Sequence, residues 1–459
     1  MLCRVFVPMK PSLNWDKILD FSQVLPSLGG TAFTLIAFVV ALSIIVAIHE
    51  YGHYIVGRWC GIHAEVFSLG FGPVLGSRVD KHGTKWQIAA LPFGGYVRFL
   101  GDADAAGVGD TGEVTQADRR RSMHGAPLWA RSLTVLAGPV FNFILALLIF
   151  AGGSMWNGSL SDPLTFEEGR DLPAPFVSEL QVGDQLIAVQ GVALGGEDPI
   201  IDQLPVQATL DYEIVRDGRS MTVKGPYLMP PAASGITPRS AADDAGLRKN
   251  DVIVAVDDIP VVAFGELIAA VQAADGSPLD LDVWRAGDII EVTLSPRRVD
   301  LPLPEGGFET RWLMGVSGEP FFTAATKTLG PWDALTNGAT MLNRVMSASL
   351  SGMWHIASGK ISSCNLSGPV AIAQTSGSMA AQGANDFIWF LGMLSAAVGM
   401  INLFPIPVLD GGHLVFHAYE AVFRRKPSEK ALNVLMMMGV ALIGTMMVFA
   451  LLNDLVLCP

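Results

Sequence analysis

The chain has 459 residues, half of them apolar, and a mean hydropathy of +0.42. That composition excludes an ordinary soluble enzyme of this length and points to a membrane protein. The formal charge of -13 is uneven: residues 157–387 hold 14 Lys and Arg against 29 Asp and Glu. The acidity therefore belongs to one soluble block, and no nucleic-acid partner is expected.

Residues 1–30 form an N-terminal extension whose only basic residues are Arg4, Lys10 and Lys17. It lacks the basic, apolar, small-residue order of a cleaved signal, so the first span is read as an uncleaved anchor. Four stretches of 23 or more residues lack charge, 21–48, 132–161, 387–409 and 431–453. Each can cross a hydrocarbon core, which takes about 20 apolar residues. They set membrane spans at 31–53, 132–156, 387–410 and 431–453. A fifth uncharged stretch, 361–385, is rich in Ser, Gly, Ala and Gln and contains Pro369, so it is not counted as a span.

Residues 54–131 carry nine Lys and Arg, among them Arg119, Arg120 and Arg121, and the short segment 411–430 carries Arg424, Arg425, Lys426 and Lys430. By the positive-inside rule both loops face the cytoplasm. Both termini and the acidic block then lie outside. The block contains an internal repeat. Val182-Gly183-Asp184-Gln185-Leu186-Ile187-Ala188-Val189 recurs as Asn250-Asp251-Val252-Ile253-Val254-Ala255-Val256, 67 positions on. The run Tyr212 to Gly218 recurs at Leu281 to Gly287, 69 positions on. Two modules follow, at 170–230 and 231–300, with an interfacial region at 301–386. Cys3, Cys60, Cys364 and Cys458 are too scattered for a disulfide framework or a CxxC metal site and are read as incidental.

At the inner end of the first span stands His49-Glu50-Tyr51-Gly52-His53. Residues four apart share a helix face, so both imidazoles can meet one metal, with Glu50 beside them as a proton acceptor. Two histidines and a carboxylate next to Ile44-Ile45-Val46-Ala47-Ile48 are costly in a membrane unless they serve a function. A catalytic zinc takes three protein ligands. The third span ends in Asn402-Leu403-Phe404-Pro405-Ile406-Pro407-Val408-Leu409-Asp410-Gly411-Gly412, and counting crossings puts Asp410 on the same side as His49 and His53. Pro405 and Pro407 break that helix. His413 and His417 form a rival pair, ranked lower because the set is already complete. His63, His82, His124 and His355 are read as solvated. The rival function is a non-catalytic membrane adaptor with a structural metal.

These motifs resemble the site-2 protease family (peptidase family M50) of the bacterial regulator-of-sigma-E type. Ser68 to Pro73, Pro92 to Arg98, Ala137 to Asn142 and Ser367 to Ile372 match in the same order. The resemblance implies a polytopic α-helical membrane protein of four transmembrane helices with two inserted periplasmic PDZ domains of mixed α/β type, in the bacterial inner membrane. The second module carries the Ala-Gly-Leu run of such domains at Ala245-Gly246-Leu247, which the first lacks. Zinc on His49, His53 and Asp410, Glu50 as base and Asn402 as a substrate contact are implied. Gly70 and Gly72, with the hairpin around Gly94 and Gly95, correspond to a re-entrant element in the 54–131 loop that clamps substrate as an added strand. Expected partners are the lipid bilayer, single-span membrane proteins of the anti-sigma type already trimmed outside, and peptides on the PDZ pair. Whether that pair binds peptides or filters by size stays open.

Overall fold

The computed structural model describes residues 30–101, 118–194, 200–302, 308–362, 364 and 366–457. The N-terminal extension expected at 1–30 lies outside the described residues but for Gly30. Among the described residues four helices are long and apolar enough to cross a membrane. The first, α1 (Gly30–Trp59), is almost free of charge and runs one turn past the HEYGH segment. Strands β1 (Ala64–Val79) and β2 (Lys85–Phe99) follow, and both fold back on themselves. Val66, Phe67, Ser68 and Leu69 pair on one side with Arg98, Val97, Tyr96 and Gly95, and on the other with Lys85, Trp86, Gln87 and Ile88. The segment 85–89 then pairs outward with 74–79, so 95–99 is an edge of a four-segment sheet.

The second of these is α2 (Leu128–Asn157), a continuous helix that contains Pro139. It crosses α1 where glycines let the backbones approach. A Cβ at Gly52 would lie 2.6 Å from the Ala137 carbonyl oxygen, so no larger residue fits there.

The acidic block repeats in structure as it does in sequence. One sheet has the order Val192–Ala193, Gln185–Val189, Thr209–Arg216, Arg219–Pro226; the other has Ile259–Pro260, Val252–Val256, Leu279–Arg285, Asp288–Leu294. Register shifts fall at Leu186/Ala188 and at Ile253/Ala255, again 67 positions apart. Each unit buries an aspartate against an arginine: Asp184 holds Arg216 at 2.7 Å and Asp251 holds Arg285 at 2.6 Å. The second unit has a helix, α3 (Phe264–Ala273), where the first has a short turn at Ile200–Gln203. The units are nested. After the second unit the chain returns through Phe322–Ala324 to pair with Phe166–Gly169, and Phe321 enters the first unit's core beside Tyr212.

The region 301–386, read from the sequence as interfacial, contains α4 (Pro331–Ala357), a 27-residue helix packed on α2. Gly338 sits directly on the backbone of Leu147 and Ala151. Asp333 and Arg344 within it disguise the helix in a charge-based reading. The uncharged stretch 361–385 holds α5 (Pro369–Gln382), only 14 residues long. α6 (Ala384–Asn402), α7 (Asp410–Phe423) and α8 (Glu429–Leu452) complete the chain. Asp454, just past α8, accepts hydrogen bonds from the N–H groups of Gly368, Val370 and Ala371 at 3.0–3.1 Å, satisfying the open start of α5. Cys364 is disulfide-bonded to a partner outside the described residues, so it is not incidental; Cys60 is a free thiol.

Candidate metal centre

His49 and His53 lie one turn apart on α1, and their Nε2 atoms come within 3.2 Å. Asp410 opens α7 after a break at 403–409, where Pro405 and Pro407 cannot donate backbone hydrogen bonds. Gly411 and Gly412 press against the carbonyls of Leu403 and Ile406, with no space for side chains. That packing turns the Asp410 carboxylate toward α1. Its Oδ2 lies 3.1 Å from His49 Nε2 and 3.5 Å from His53 Nε2. Among the described residues this is the one cluster of three whose donor atoms all lie within 4.8 Å of one another.

The chemistry of the three donors fits a divalent cation. Asp410 Oδ2 is buried without a hydrogen-bond partner, and an unpaired buried carboxylate oxygen is costly unless a cation meets it. Two imidazole nitrogens and a carboxylate oxygen are a donor set that suits zinc and leaves a fourth position for water or substrate.

Helix α2 backs the cluster. His53 Nδ1 donates to the Thr134 carbonyl oxygen at 2.8 Å, which leaves Nε2 as the free lone pair. A Cβ at Gly138 would collide with His53 Nε2 and stand 2.7 Å from His49 Cε1, so glycine is required where α2 passes the two rings. Asn142 reaches His49 Nδ1 at 3.3 Å. Near the start of α2 Arg131 grips Glu420 of α7 with two hydrogen bonds, at 3.1 and 2.7 Å, and Ser132 meets His417 at 3.2 Å. These contacts hold the helix that carries Asp410.

Glu50 shares a cavity of about 600 Å3 with the cluster, Asn402, Tyr96, Val97 and His413. The edge segment 95–99 passes directly over it: a Cβ at Gly95 would lie 2.9 Å from Val46 and 3.2 Å from Glu50 Cγ. Gly70 (φ 89°), Gly72 (φ 84°) and Gly94 (φ 132°) sit where the strands fold back, in backbone geometry that a side chain would strain. Asn402 donates to the Val398 carbonyl oxygen at 3.1 Å from the end of α6.

The rival pair is not part of the cluster. His413 and His417 line the same cavity further along α7, and burial together with the nearby Arg131 guanidinium holds His417 down to about 4, hence neutral. His82 and His124 are bound, to Arg58 and to the Gly101 carbonyl, and His355 meets the Ser351 carbonyl oxygen at 2.7 Å. His63 lines a separate cavity of about 240 Å3 with Arg58 and Arg121. Thr134 and the Arg131–Glu420 pair escaped the sequence reading, and Asn142 entered it only as the end of the Ala137 to Asn142 run, without a role. A backbone carbonyl leaves no sequence signature, and Arg131 and Glu420 are 289 positions apart.

Comparison with known proteins matches this architecture. A protein of Agrobacterium fabrum provisionally named a zinc metalloprotease is 31% identical over 444 residues, 94% of this chain and 98% of its own. A similarly named protein of Brucella suis is 31% identical over 430 residues, 93% and 96%. The regulator of sigma-E protease RseP of Salmonella typhimurium is 30% identical over 450 residues, 92% and 98%. The family description "Peptidase family M50" matches residues 37–446, from the first span through most of the last. With that match running through HEYGH, the repeat and the Asp410 turn alike, the chain belongs to peptidase family M50.

Proposed function

We propose that the protein is an intramembrane zinc metalloprotease that cleaves the transmembrane segments of single-span proteins. The observation that carries this reading is the approach of Asp410 Oδ2 to His49 and His53, at 3.1 and 3.5 Å, from a break beside a membrane-spanning helix. His49, His53 and Asp410 would hold the ion. When bound, zinc acidifies water and polarises a peptide carbonyl. Glu50 takes the proton of the attacking water as the C–O bond forms and returns it to the leaving amine as the C–N bond breaks. Asn402 orients the substrate main chain from the opposite wall.

A helical segment has its carbonyls engaged and must be opened before attack. The segment 95–99 is an edge with no second strand partner among the described residues, and it passes beside Glu50, which supports strand addition as the means of opening it. Gly70, Gly72 and Gly94 shape that sheet, and Gly95 removes the side chain that would block it.

The basic loops would face the cytoplasm of a bacterial inner membrane and the nested repeat the periplasm. Both repeat units are read as PDZ domains. Because among the described residues a helix like α3 occurs only in the second, that unit would take peptides and the pair would together exclude untrimmed proteins. Substrates would be anti-sigma-type proteins after a first external cut. The test is cleavage of a single-span substrate, full-length and externally trimmed, by the wild type and Glu50→Gln. Equal cutting of both lengths by the wild type overturns the filter. An unimpaired Glu50→Gln output supports an adaptor instead.

A further inference from the structure

We propose that Asn142 is a positioning residue that fixes the His49 ring through its side-chain oxygen, so that Oδ1 rather than Nδ2 faces His49 Nδ1 in the working enzyme. The inference rests on the ligand set proposed above and concerns a residue to which that reading gives no role.

Asn142 is fully buried on α2, one turn beyond Gly138. In the structure its Nδ2 lies 3.3 Å from His49 Nδ1 while its Oδ1, also buried, has no hydrogen-bond partner. His49 points Nε2 toward Asp410 Oδ2 at 3.1 Å and toward His53 Nε2 at 3.2 Å. A ring that gives the Nε2 lone pair to a cation must carry its proton on Nδ1. Nδ1–H then needs an acceptor, and an amide NH2 cannot be one. Turning the amide by half a rotation exchanges two atoms of nearly equal size and electron density, so the heavy-atom positions do not change.

The neighbouring histidine supplies the comparison. His53 Nδ1 already faces an acceptor, the Thr134 carbonyl oxygen at 2.8 Å, also from α2. With the amide turned, both rings are fixed through Nδ1 by oxygen atoms of the same helix, and both present Nε2 to Asp410. The place of Asn142 is itself fixed. Ser395 Oγ donates to its backbone oxygen at 2.9 Å, and a Cβ at Gly399 would stand 3.2 Å from Asn142 Cβ. The asparagine thus sits at the junction of α1, α2 and α6.

Loss of such an outer partner typically lowers metal affinity by about 10- to 100-fold. The test uses the full-length protein in detergent or nanodiscs, with zinc affinity measured by competition against a chromophoric chelator and folding followed by thermal melting. Asn142→Asp offers only acceptors, while Asn142→Leu and the smaller Asn142→Ala offer none. The expected result is zinc affinity in Asn142→Asp equal to or tighter than wild type, and affinity about 10- to 100-fold weaker in Asn142→Ala and Asn142→Leu. Zinc binding in folded Asn142→Asp as weak as in Asn142→Ala overturns the proposal, because the required partner would then be a donor. Wild-type affinity in Asn142→Ala overturns it as well. Asp410→Ala is measured in parallel: full zinc affinity there would refute the ligand set itself, an outcome separate from any behaviour of Asn142.

Discussion

Gly138→Ala places one methyl group between α1 and α2, against the rings of His49 and His53. The added carbon would stand 2.6 Å from His53 Cε1 and 2.7 Å from His49 Cε1, and closer still to His53 Nε2. Carbon atoms separate to about 3.5 Å at best contact, so α2 or the rings must give by nearly 1 Å. Overpacking of this size costs about 1–3 kcal/mol, while alanine regains about 1 kcal/mol over glycine in a helix. Global stability should therefore fall by no more than about 2 kcal/mol, and the protein should still insert and fold. Catalysis should suffer far more, since a 1 Å misplacement can cost about 100-fold. The assay is cleavage of a single-span reporter together with zinc content and a thermal melt. A folded Gly138→Ala protein with wild-type cleavage and wild-type zinc would refute the close approach of α2 to the two histidines.

Other perturbations read separate contacts. Glu420→Ala leaves the largely buried Arg131 without its partner, and breaking such a pair costs about 3–5 kcal/mol. Thermal melting should show the loss, and the double variant Arg131→Leu/Glu420→Leu should recover much of it. Asp454→Ala frees three N–H groups at the start of α5, a loss of about 1–3 kcal/mol, read as protease sensitivity near residue 368. In the acidic block the hydrogen bonds from Arg216 hold the Asp184 carboxyl below its ordinary value of 3.8. The sign follows from linkage: the stabilisation is complete above 3.8 and is lost as pH falls through the lower folded value. Acid unfolding of this block should thus move to higher pH in Asp184→Asn, followed by tryptophan fluorescence of the full chain.

Much of the fold is legible because membrane insertion and repetition are strong constraints. Charge-free runs of helical length locate the four spans, and the 67-residue offset that aligns Asp184 with Asp251 also aligns their register shifts. α4 is hidden because a helix that packs only one face on α2 can carry Asp333 and Arg344 on its other faces. Nesting of the two units is hidden because Phe322–Ala324 is too short for a periodic signal, and its partner Phe166–Gly169 lies 153 or more positions away. At the metal centre, His49 and His53 are legible from spacing and Asp410 from the parity of crossings. The roles of their supports are not: Thr134 acts through its backbone, and Gly138 and Asn142, although inside the matched run Ala137 to Asn142, act by close packing and by a contact to His49 that only the folded helices show.

The central claim is tested most directly by cleavage of one single-span reporter by full-length wild type and Glu50→Gln at matched zinc content. The account predicts equal zinc in both and a rate reduced by about 100- to 10,000-fold in the variant, the usual contribution of a positioned general base. Cleavage by Glu50→Gln at the wild-type rate would contradict it.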